Sequence, residues 1–199
     1  MDGPGPLGRL SAAAGRTRAR HIAAPGPEVR VEIVVRPASA PDLPALTGIY
    51  NHYVRTGHST FDVDEFTVEQ RAEWFGHYDR HGAHRLLVAE RADMLLGYAT
   101  SSPFRAKPGY RTSVETSVYL APSALGGGIG RALYGSLLDL LDREGVHRAY
   151  AGIALPNPAS IALHRRCGFV PVGTYTEVGW KLGRYVDVQW YERRGGAPT

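Results

Sequence analysis

The chain has 199 residues and is 43% hydrophobic, which is enough for one domain with a sizeable core. The single cysteine, Cys167, excludes an intramolecular disulfide framework and favours a reducing, cytoplasmic compartment. The sequence has no run of about 18 apolar residues, so no membrane span is predicted. Most of the net charge of +4 lies in the first thirty residues, so it gives little support to nucleic-acid binding.

Residues 1–28 are rich in glycine, proline, alanine and arginine, and they show no hydrophobic periodicity. This composition predicts a disordered tail, or a start codon placed too far upstream. A targeting or interaction segment is the alternative, because the stretch is also poor in acidic residues. The folded domain is expected over residues 29–194, and residues 195–199 are expected to form a short C-terminal tail.

Hydrophobic alternation and spacing predict five elements in the first half of the domain. Pro37 ends the first strand, Thr67 is a suitable N-cap for the second helix, and Gly82 closes that helix. The predicted elements are a strand at Val29–Arg36, helices from Asp42 to Gly57 and over Val68–His81, and strands at Arg85–Glu90 and Met94–Ser101.

The second half begins with a strand, a glycine-rich turn and an amphipathic helix. Its predicted elements are a strand at Arg111–Leu120, a helix at Ile129–Glu144, a strand at His147–Ala154, a helix from Asn157 to Cys167, and strands at Phe169–Val178 and Tyr185–Tyr191 joined as a hairpin through Gly179–Arg184. The order β-α-α-β-β-β-α-β-α-β-β favours an α/β (α+β) fold with a mixed, mostly antiparallel sheet and flanking helices.

The sequence Gly126-Gly127-Gly128-Ile129-Gly130 lies between the central strand and the amphipathic helix. The first N–H groups of a helix have no intrahelical acceptor, and glycines allow a phosphate to approach the backbone closely. The turn therefore predicts a phosphate-bearing cofactor at Gly126–Arg131, with a flexible loop as the alternative. No Gly-Lys-Ser/Thr follows, which excludes a P-loop, and the distance from the strand argues against a dinucleotide fingerprint.

Glu115 lies in the middle of the predicted central strand, on the face that also carries Ser113, Ser117 and Tyr119. Burying a carboxylate there is costly unless the group is paired or used. Desolvation would raise its pKa toward the range of a general base. The sequence leaves two interpretations equally open, a catalytic base and a solvated or salt-bridged structural glutamate.

Asn157, Ser160 and His164 lie at i, i+3 and i+7 and therefore line one face of the last predicted helix. Alone, the pattern is more typical of an N-cap followed by polar surface residues than of a site. No spacing of His, Cys, Asp and Glu predicts a metal site, and Cys167 is expected to be a small core residue before a helix stop.

These motifs together resemble the GNAT acetyltransferase superfamily. The pattern N-P-x-S-x-x-L-H-x-x-x-G-F runs from Asn157 to Phe169, and further pieces resemble the phosphinothricin acetyltransferase-like branch. Those pieces are I-Y-N-H-Y-V (Ile49–Val54), S-V-E-T-S-V-Y-L (Ser113–Leu120), L-P-N-P-A-S (Leu155–Ser160) and G-W-K-L-G-R-Y-V-D-V (Gly179–Val188). The resemblance covers about Val31–Arg193, which is nearly everything except the tail.

The resemblance implies acetyl transfer from acetyl-CoA to the primary amine of a small amino-acid-like acceptor, such as phosphinothricin or methionine sulfoximine or sulfone. It also implies a central strand pair that splays apart to admit acetyl-CoA. Glu115 occupies the position of the general base, and His164 that of a proton donor, base helper or acceptor contact. Acetyl-CoA would be bound by Val118, Tyr119, Leu120, Gly126, Gly127, Gly128, Ile129, Gly130, Arg131, Asn157 and Ser160. Candidate acceptor contacts are Phe61, Arg105, Tyr110, Lys181 and Arg184. The residue patterns predict no metal, nucleic-acid or membrane partner, and the resemblance implies a homodimer, since family members are often dimers.

One position departs from the family pattern of the phosphate turn, which is Gln/Arg-x-x-Gly-x-Gly/Ala. Gly128 and Gly130 fit its last two positions, but Leu125 stands where a glutamine or arginine is expected. Backbone donors survive this change, whereas one side-chain contact to phosphate is lost, so weaker cofactor binding is expected unless Arg131 compensates. The departure keeps a second hypothesis open, a non-catalytic domain that binds acyl-CoA. An acetyltransferase for a different amine is a further alternative.

Overall fold

The computed structural model describes residues 32–196, so the predictions for residues 1–28 and for the last three residues lie outside the described part. It contains seven strands and four α-helices. In chain order they are β1 (Val34–Pro37), α1 (Leu43–Thr56), α2 (Val68–Phe75), β2 (Arg85–Arg91), β3 (Met94–Pro103), β4 (Ser113–Leu120), α3 (Ile129–Arg143), β5 (Arg148–Ala154), α4 (Pro158–Arg166), β6 (Val170–Lys181) and β7 (Arg184–Arg194). The predicted order of elements is confirmed.

All seven strands form one sheet in the order β1-β2-β3-β4-β5-β7-β6. Every neighbouring pair is antiparallel except β4 and β5, which run parallel. That parallel pair is short, because β4 pairs with β5 only over Ser113–Glu115. Beyond Glu115 the two strands separate, while β4 stays paired with β3 along its length. The predicted mixed, mostly antiparallel sheet with a splayed central pair is therefore confirmed.

Each face of the sheet is covered by helices that bury an apolar stripe. On one face α3 buries Leu133, Leu137 and Leu141, which join a core cluster together with Val114 of β4. On the other face α1 buries Leu46 in a second cluster, beneath β2 and β3. Each fully buried leucine contributes about 1.5–3 kcal/mol relative to an exposed one, so these stripes fix both helices on the sheet. No helix in the described part is long and apolar enough to span a membrane.

Two helix predictions need correction. The helix predicted over Val68–His81 ends at Phe75, because the chain then turns and the Tyr78 hydroxyl reaches Ser102 on β3 at 3.1 Å. Thr67 caps that helix as predicted, accepting a hydrogen bond from the Gln70 N–H. Asp42 precedes α1 but gives it no side-chain cap, because its carboxylate binds Arg36 and the Ser39 N–H instead.

Three strand predictions also need correction. The first described strand begins at Val34, later than predicted. The central strand begins at Ser113 rather than Arg111, because Pro108–Tyr110 forms a short 3-10 turn. The C-terminal hairpin is longer than predicted, since its connection is only Leu182 and Gly183, both in the left-handed region with φ of 50° and 76°. Positive φ at both turn positions suits the twist of a tight hairpin.

Candidate active site

Glu115 lies where β4 and β5 separate. It is paired with Tyr150 on β5 and stands opposite Ser102 on β3, so these three side chains share one face of the sheet. The Glu115 side chain is half-buried, and its carboxylate has no hydrogen-bond or ion-pair partner within residues 32–196. Burial raises the pKa of Glu115, while the charge of Arg105 opposes that rise. An unpaired carboxyl group with a raised pKa at the mouth of a gap is suited to accept a proton.

An aromatic wall stands beside Glu115 on the same face. Phe104 stacks on Tyr150 with ring centroids 4.3 Å apart, and Trp190 meets the same Phe104 ring edge-on at 6.3 Å. Tyr110 and Arg105, both predicted as acceptor contacts, pack against Phe104 at 5.9 Å and 4.3 Å from its centroid. The sequence prediction missed Phe104, Tyr150 and Trp190, because they come from three distant segments and an aromatic residue in a strand or beside its end is typical of ordinary packing.

The glycine turn before α3 leaves its backbone donors open. Gly126 and Gly128 have φ of 80° and 76°, a conformation that side chains rarely adopt, and Gly128 is the N-cap of α3. The N–H groups of residues 126–130 donate to no acceptor in the described part of the chain. The turn therefore fits a pyrophosphate, with Arg131 exposed in the first turn of the helix. Leu125 is 62% exposed, so its apolar side chain serves no core.

The α4 residues predicted to face a ligand are partly engaged within the protein. The Asn157 side-chain oxygen caps the helix by accepting a hydrogen bond from the Ser160 N–H at 3.1 Å. His164 is only 3% exposed, and its Nδ1 donates to the Ser160 carbonyl at 2.8 Å. Its Nε2 accepts from the Tyr134 hydroxyl at 3.0 Å, and that hydroxyl also contacts Thr116. Burial lowers the pKa of His164, so the imidazole is neutral at physiological pH.

His164 and Glu115 approach β4 from opposite sides. Thr116 is the β4 residue at the end of the His164–Tyr134 chain, and successive side chains of a strand point to opposite faces. Helical spacing correctly predicted that Ser160 and His164 share a helix face. That spacing carries no information on which face of the sheet the helix covers, so the separation of Glu115 and His164 was not predictable from it.

The other three predicted acceptor contacts form a separate cluster between the α1–α2 loop and the β6–β7 hairpin. Lys181 is only 3% exposed, and its Nζ donates to the Thr60 carbonyl at 2.8 Å. The Phe61 ring lies directly on Gly179, where a Cβ would find no room. The Arg184 guanidinium lies 3.0 Å from His58 Nδ1. These contacts fasten the loop to the hairpin, and a direct contact of the three side chains with an acceptor stays a prediction.

A cavity of about 340 Å³ lies between α1, α2 and the sheet, on the Glu115 face. Its floor is formed by alternate residues of β3 and β4, namely Tyr98, Thr100, Ser102, Ser117 and Tyr119. Since Ser102 stands opposite Glu115, the cavity extends from the candidate base along the sheet. Its roof includes Arg71 of α2, a residue that no sequence pattern distinguishes from the solvated face of an amphipathic helix.

The comparisons with known proteins agree with this geometry. The model of the acetyltransferase (GNAT) family matches residues 46–169. A phosphinothricin N-acetyltransferase of Streptomyces coelicolor is 58% identical over 164 residues, which are 81% of this chain and 96% of that protein. An L-methionine sulfoximine/L-methionine sulfone acetyltransferase of Pseudomonas paraeruginosa is 34% identical over 158 residues, 79% of this chain and 92% of that protein. The crystal structure of a phosphinothricin acetyltransferase from Sinorhizobium meliloti in complex with AcCoA superposes with a TM-score of 0.78 at 34% identity, covering 84% of this chain and 90% of that one.

Proposed function

Because the chain belongs to the acetyltransferase (GNAT) family, we propose that it acetylates the primary amine of a small amino-acid-like acceptor with acetyl-CoA. Phosphinothricin and methionine sulfoximine or sulfone, named for its relatives, are the first acceptors to test. The observation that carries the proposal is the unpaired Glu115 at the point where β4 and β5 separate. The open N–H groups of the glycine turn support it, because they suit the pyrophosphate of the co-substrate.

In the proposed mechanism the co-substrate supplies an acetyl thioester, and the chain's own residues prepare the amine. An α-amino acid binds mainly as an ammonium ion, which is not nucleophilic. Glu115 accepts one of its protons, directly or through a water molecule, so that the neutral amine can attack the thioester carbonyl. Backbone N–H groups of β4 beyond Glu115, on the edge that β5 leaves unpaired, would stabilise the developing oxyanion.

His164 takes a more distant part in this proposal. Both of its ring nitrogens are bonded within the protein, and its pKa is lowered by burial. Any contribution of His164 to protonation of the leaving thiolate therefore passes through Tyr134 or Ser160. Asn157, whose side-chain oxygen caps α4, keeps its Nδ2 group without a partner within residues 32–196 and can donate it to the co-substrate.

An amine panel tests the proposed function. Purified protein is incubated with acetyl-CoA and each amine, and release of free CoA thiol is measured, with phosphinothricin and methionine sulfone expected to be acetylated. Activity confined to amines that lack an amino-acid group would overturn the acceptor class. Binding of acetyl-CoA by calorimetry without turnover on any amine would instead support a non-catalytic acyl-CoA-binding domain, for which Leu125 in the phosphate turn is the favouring observation.

Leu125→Arg is expected to lower the KM for acetyl-CoA by about three- to tenfold. An arginine at this exposed position of the phosphate turn can add a charge-assisted hydrogen bond to the pyrophosphate, and partial solvent screening keeps the gain modest. KM for acetyl-CoA at saturating acceptor is the measurement, and the gain should diminish at high salt. Leu125→Glu is the matched control and should raise KM, since it places a negative charge beside the phosphates. An unchanged KM in both variants would place the pyrophosphate elsewhere.

A homodimer formed through the C-terminal hairpin is a further part of the proposal. β6 is an edge strand, and it and β7 expose a row of large apolar side chains that a monomer leaves in water. These side chains are Val170, Val172, Tyr175, Val178 and Trp180 of β6 and Tyr185 of β7, and Leu182 in the turn between them is exposed as well. Light scattering during gel filtration should give twice the mass of 21.6 kDa, and Val172→Lys combined with Val178→Lys should return it to the monomer value. A monomer in the unaltered protein would contradict this part.

A further inference from the structure

Arg71 is buried without an ionic partner. It is 5% exposed, and its Nε and Nη2 groups have no hydrogen-bond partner within residues 32–196. No carboxylate of that part of the chain forms a salt bridge with it. Burying a cation in this way is costly, and proteins normally retain such a group only when it is paired or used. The missing partner is therefore the feature to be explained.

Aromatic rings stabilise the guanidinium of Arg71 but leave its donors free. The guanidinium carbon lies 3.5 Å from the ring centroid of Trp74 and 4.4 Å from that of Tyr50. Such stacking uses the flat faces of the guanidinium, whereas its N–H groups point outward in its plane. A planar fork of donors fixed in this way matches two oxygens of one acidic group.

The part of the cavity around Arg71 suits a ligand whose nearest end is polar. Arg71 lines the 340 Å³ cavity together with hydroxyl-bearing side chains, and the Tyr98 hydroxyl there is also buried without a partner. The single carboxylate that lines the cavity is that of Asp62, which is exposed and accepts a hydrogen bond from Tyr50. Burial lowers the pKa of Lys181, and the charge of Asp62 partly opposes that decrease. The interior of the cavity therefore keeps an excess of donors.

The position of Arg71 relative to Glu115 determines which group of the acceptor Arg71 can bind. Arg71 stacks on Trp74, whose ring contacts that of Tyr98, and Tyr98 stands opposite Tyr119 on β4. Tyr119 lies four residues beyond Glu115, which is about 13 Å along a strand. That figure separates two backbone positions on β4, and the long side chains at both ends shorten the gap that an acceptor has to span. An acceptor whose amine lies at Glu115 would therefore meet Arg71 with the far end of its side chain. The α-carboxylate of the acceptor is bonded to the carbon that carries the amine, so it would lie at the Glu115 end of the site. Arg105 is the cation at that end, since its charge acts on Glu115.

We propose that Arg71 binds the distal side-chain oxygens of the acceptor, a phosphinate or sulfone group, and thereby selects amino acids that carry such a group. This inference rests on the proposed function, because it takes the cavity beside Glu115 as the acceptor site. The anionic phosphinate gains most from the guanidinium, and the Tyr98 hydroxyl can donate a further hydrogen bond to the same group.

Arg71→Met tests the proposal with two acceptors that differ only at the distal end. L-Phosphinothricin carries the phosphinate, whereas L-norleucine has the same amine and carboxylate and an apolar side chain. Losing a charge-assisted hydrogen bond corresponds to a drop of about 10- to 100-fold. We expect a drop of that size in kcat/KM for phosphinothricin, with kcat/KM for norleucine and KM for acetyl-CoA unchanged. Equal losses for both acceptors would overturn the proposal, and so would a loss confined to thermal stability.

Two further variants and one binding measurement keep the test decisive. Arg71→Lys keeps the charge without the fork and should show a smaller loss in the same direction, which decides the question if the methionine variant does not fold. Arg91→Met, at the exposed last residue of β2, should change kcat/KM for neither acceptor. Calorimetric binding of phosphinothricin to the CoA complex separates the two proposals. Arg71-dependent binding without turnover would contradict the proposed function alone, whereas turnover that is insensitive to Arg71 would contradict this inference alone.

Discussion

Glu115→Gln is expected to lower kcat by about 10²–10⁴, the range usually contributed by a positioned general base. Glutamine has nearly the same shape but cannot accept the proton of the ammonium group. The affinity for acetyl-CoA should change little, because the donors proposed to bind its pyrophosphate are the open backbone N–H groups of the glycine turn and not this side chain. The measurements are steady-state thiol release with phosphinothricin and calorimetric binding of acetyl-CoA.

The raised pKa of Glu115 gives this prediction a second readout. Activity of the unaltered protein should fall as pH decreases through that raised pKa, because the protonated carboxyl group cannot act as a base. The same shift lowers stability as pH rises above the unfolded-state pKa, since the folded state disfavours the charged form. The glutamine variant should therefore have a higher Tm at neutral pH than the unaltered protein. A variant with near-normal turnover at all pH values would remove Glu115 from the role of base.

Gly97→Ala is expected to lower the free energy of unfolding by about 1–3 kcal/mol, the usual cost of overpacking a filled core. Gly97 lies on β3 opposite Leu120, and a Cβ there would be 2.6 Å from the Tyr119 carbonyl oxygen and 3.1 Å from the Leu120 Cα. Backbone atoms cannot yield without opening the β3–β4 pair. Thermal unfolding measures the loss, and because β4 borders the gap, KM for acetyl-CoA should rise as well.

Gly135→Ala supplies the matched control for this substitution. Gly135 lies within α3, where a Cβ would meet nothing within 4 Å. Alanine there should raise stability by about 1 kcal/mol, because glycine is a poor helix former. The same glycine-to-alanine change should thus lower the free energy of unfolding at position 97 and raise it at position 135. Equal effects on Tm would show that the crowding at Gly97 does not limit the packing of β3 against β4.

The order of elements was predictable from the sequence because it depends on local rules. Alternation predicted the strands, and the Thr67 N-cap was predicted from its hydrogen-bonding chemistry alone. The errors occur where tertiary contacts override local pattern. The helix after Thr67 stops early because Tyr78 turns toward the sheet, and the carboxylate of Asp42 is drawn away from its helix by Arg36.

The candidate site was predictable only in part, for a related reason. Glu115 stands out in sequence because a carboxylate in a central strand conflicts with burial, and the glycine turn stands out by composition. Arg71 gives no such signal, because its burial depends on rings brought from α1 and its own helix. Lys181 is the opposite case, a residue that stands out in the sequence but is bonded within the protein. Its charge and loop-adjacent position predicted an acceptor contact, which stays a prediction, but they gave no sign that its ammonium group bonds to backbone carbonyls more than a hundred residues earlier.

The contact between Lys181 and the Thr60 carbonyl also has a consequence for synthesis on the ribosome. The glycine turn, α3 and α4 have all been synthesised once the chain has reached Arg166. The loop between α1 and α2 emerges much earlier, and α1 and β4 hold it by hydrogen bonds, but it gains its contact with Lys181 only when the C-terminal hairpin has been made. If the proposed function holds, a nascent chain therefore contains the residues proposed to hold CoA before its C-terminal strands fix the loop beside the proposed acceptor site.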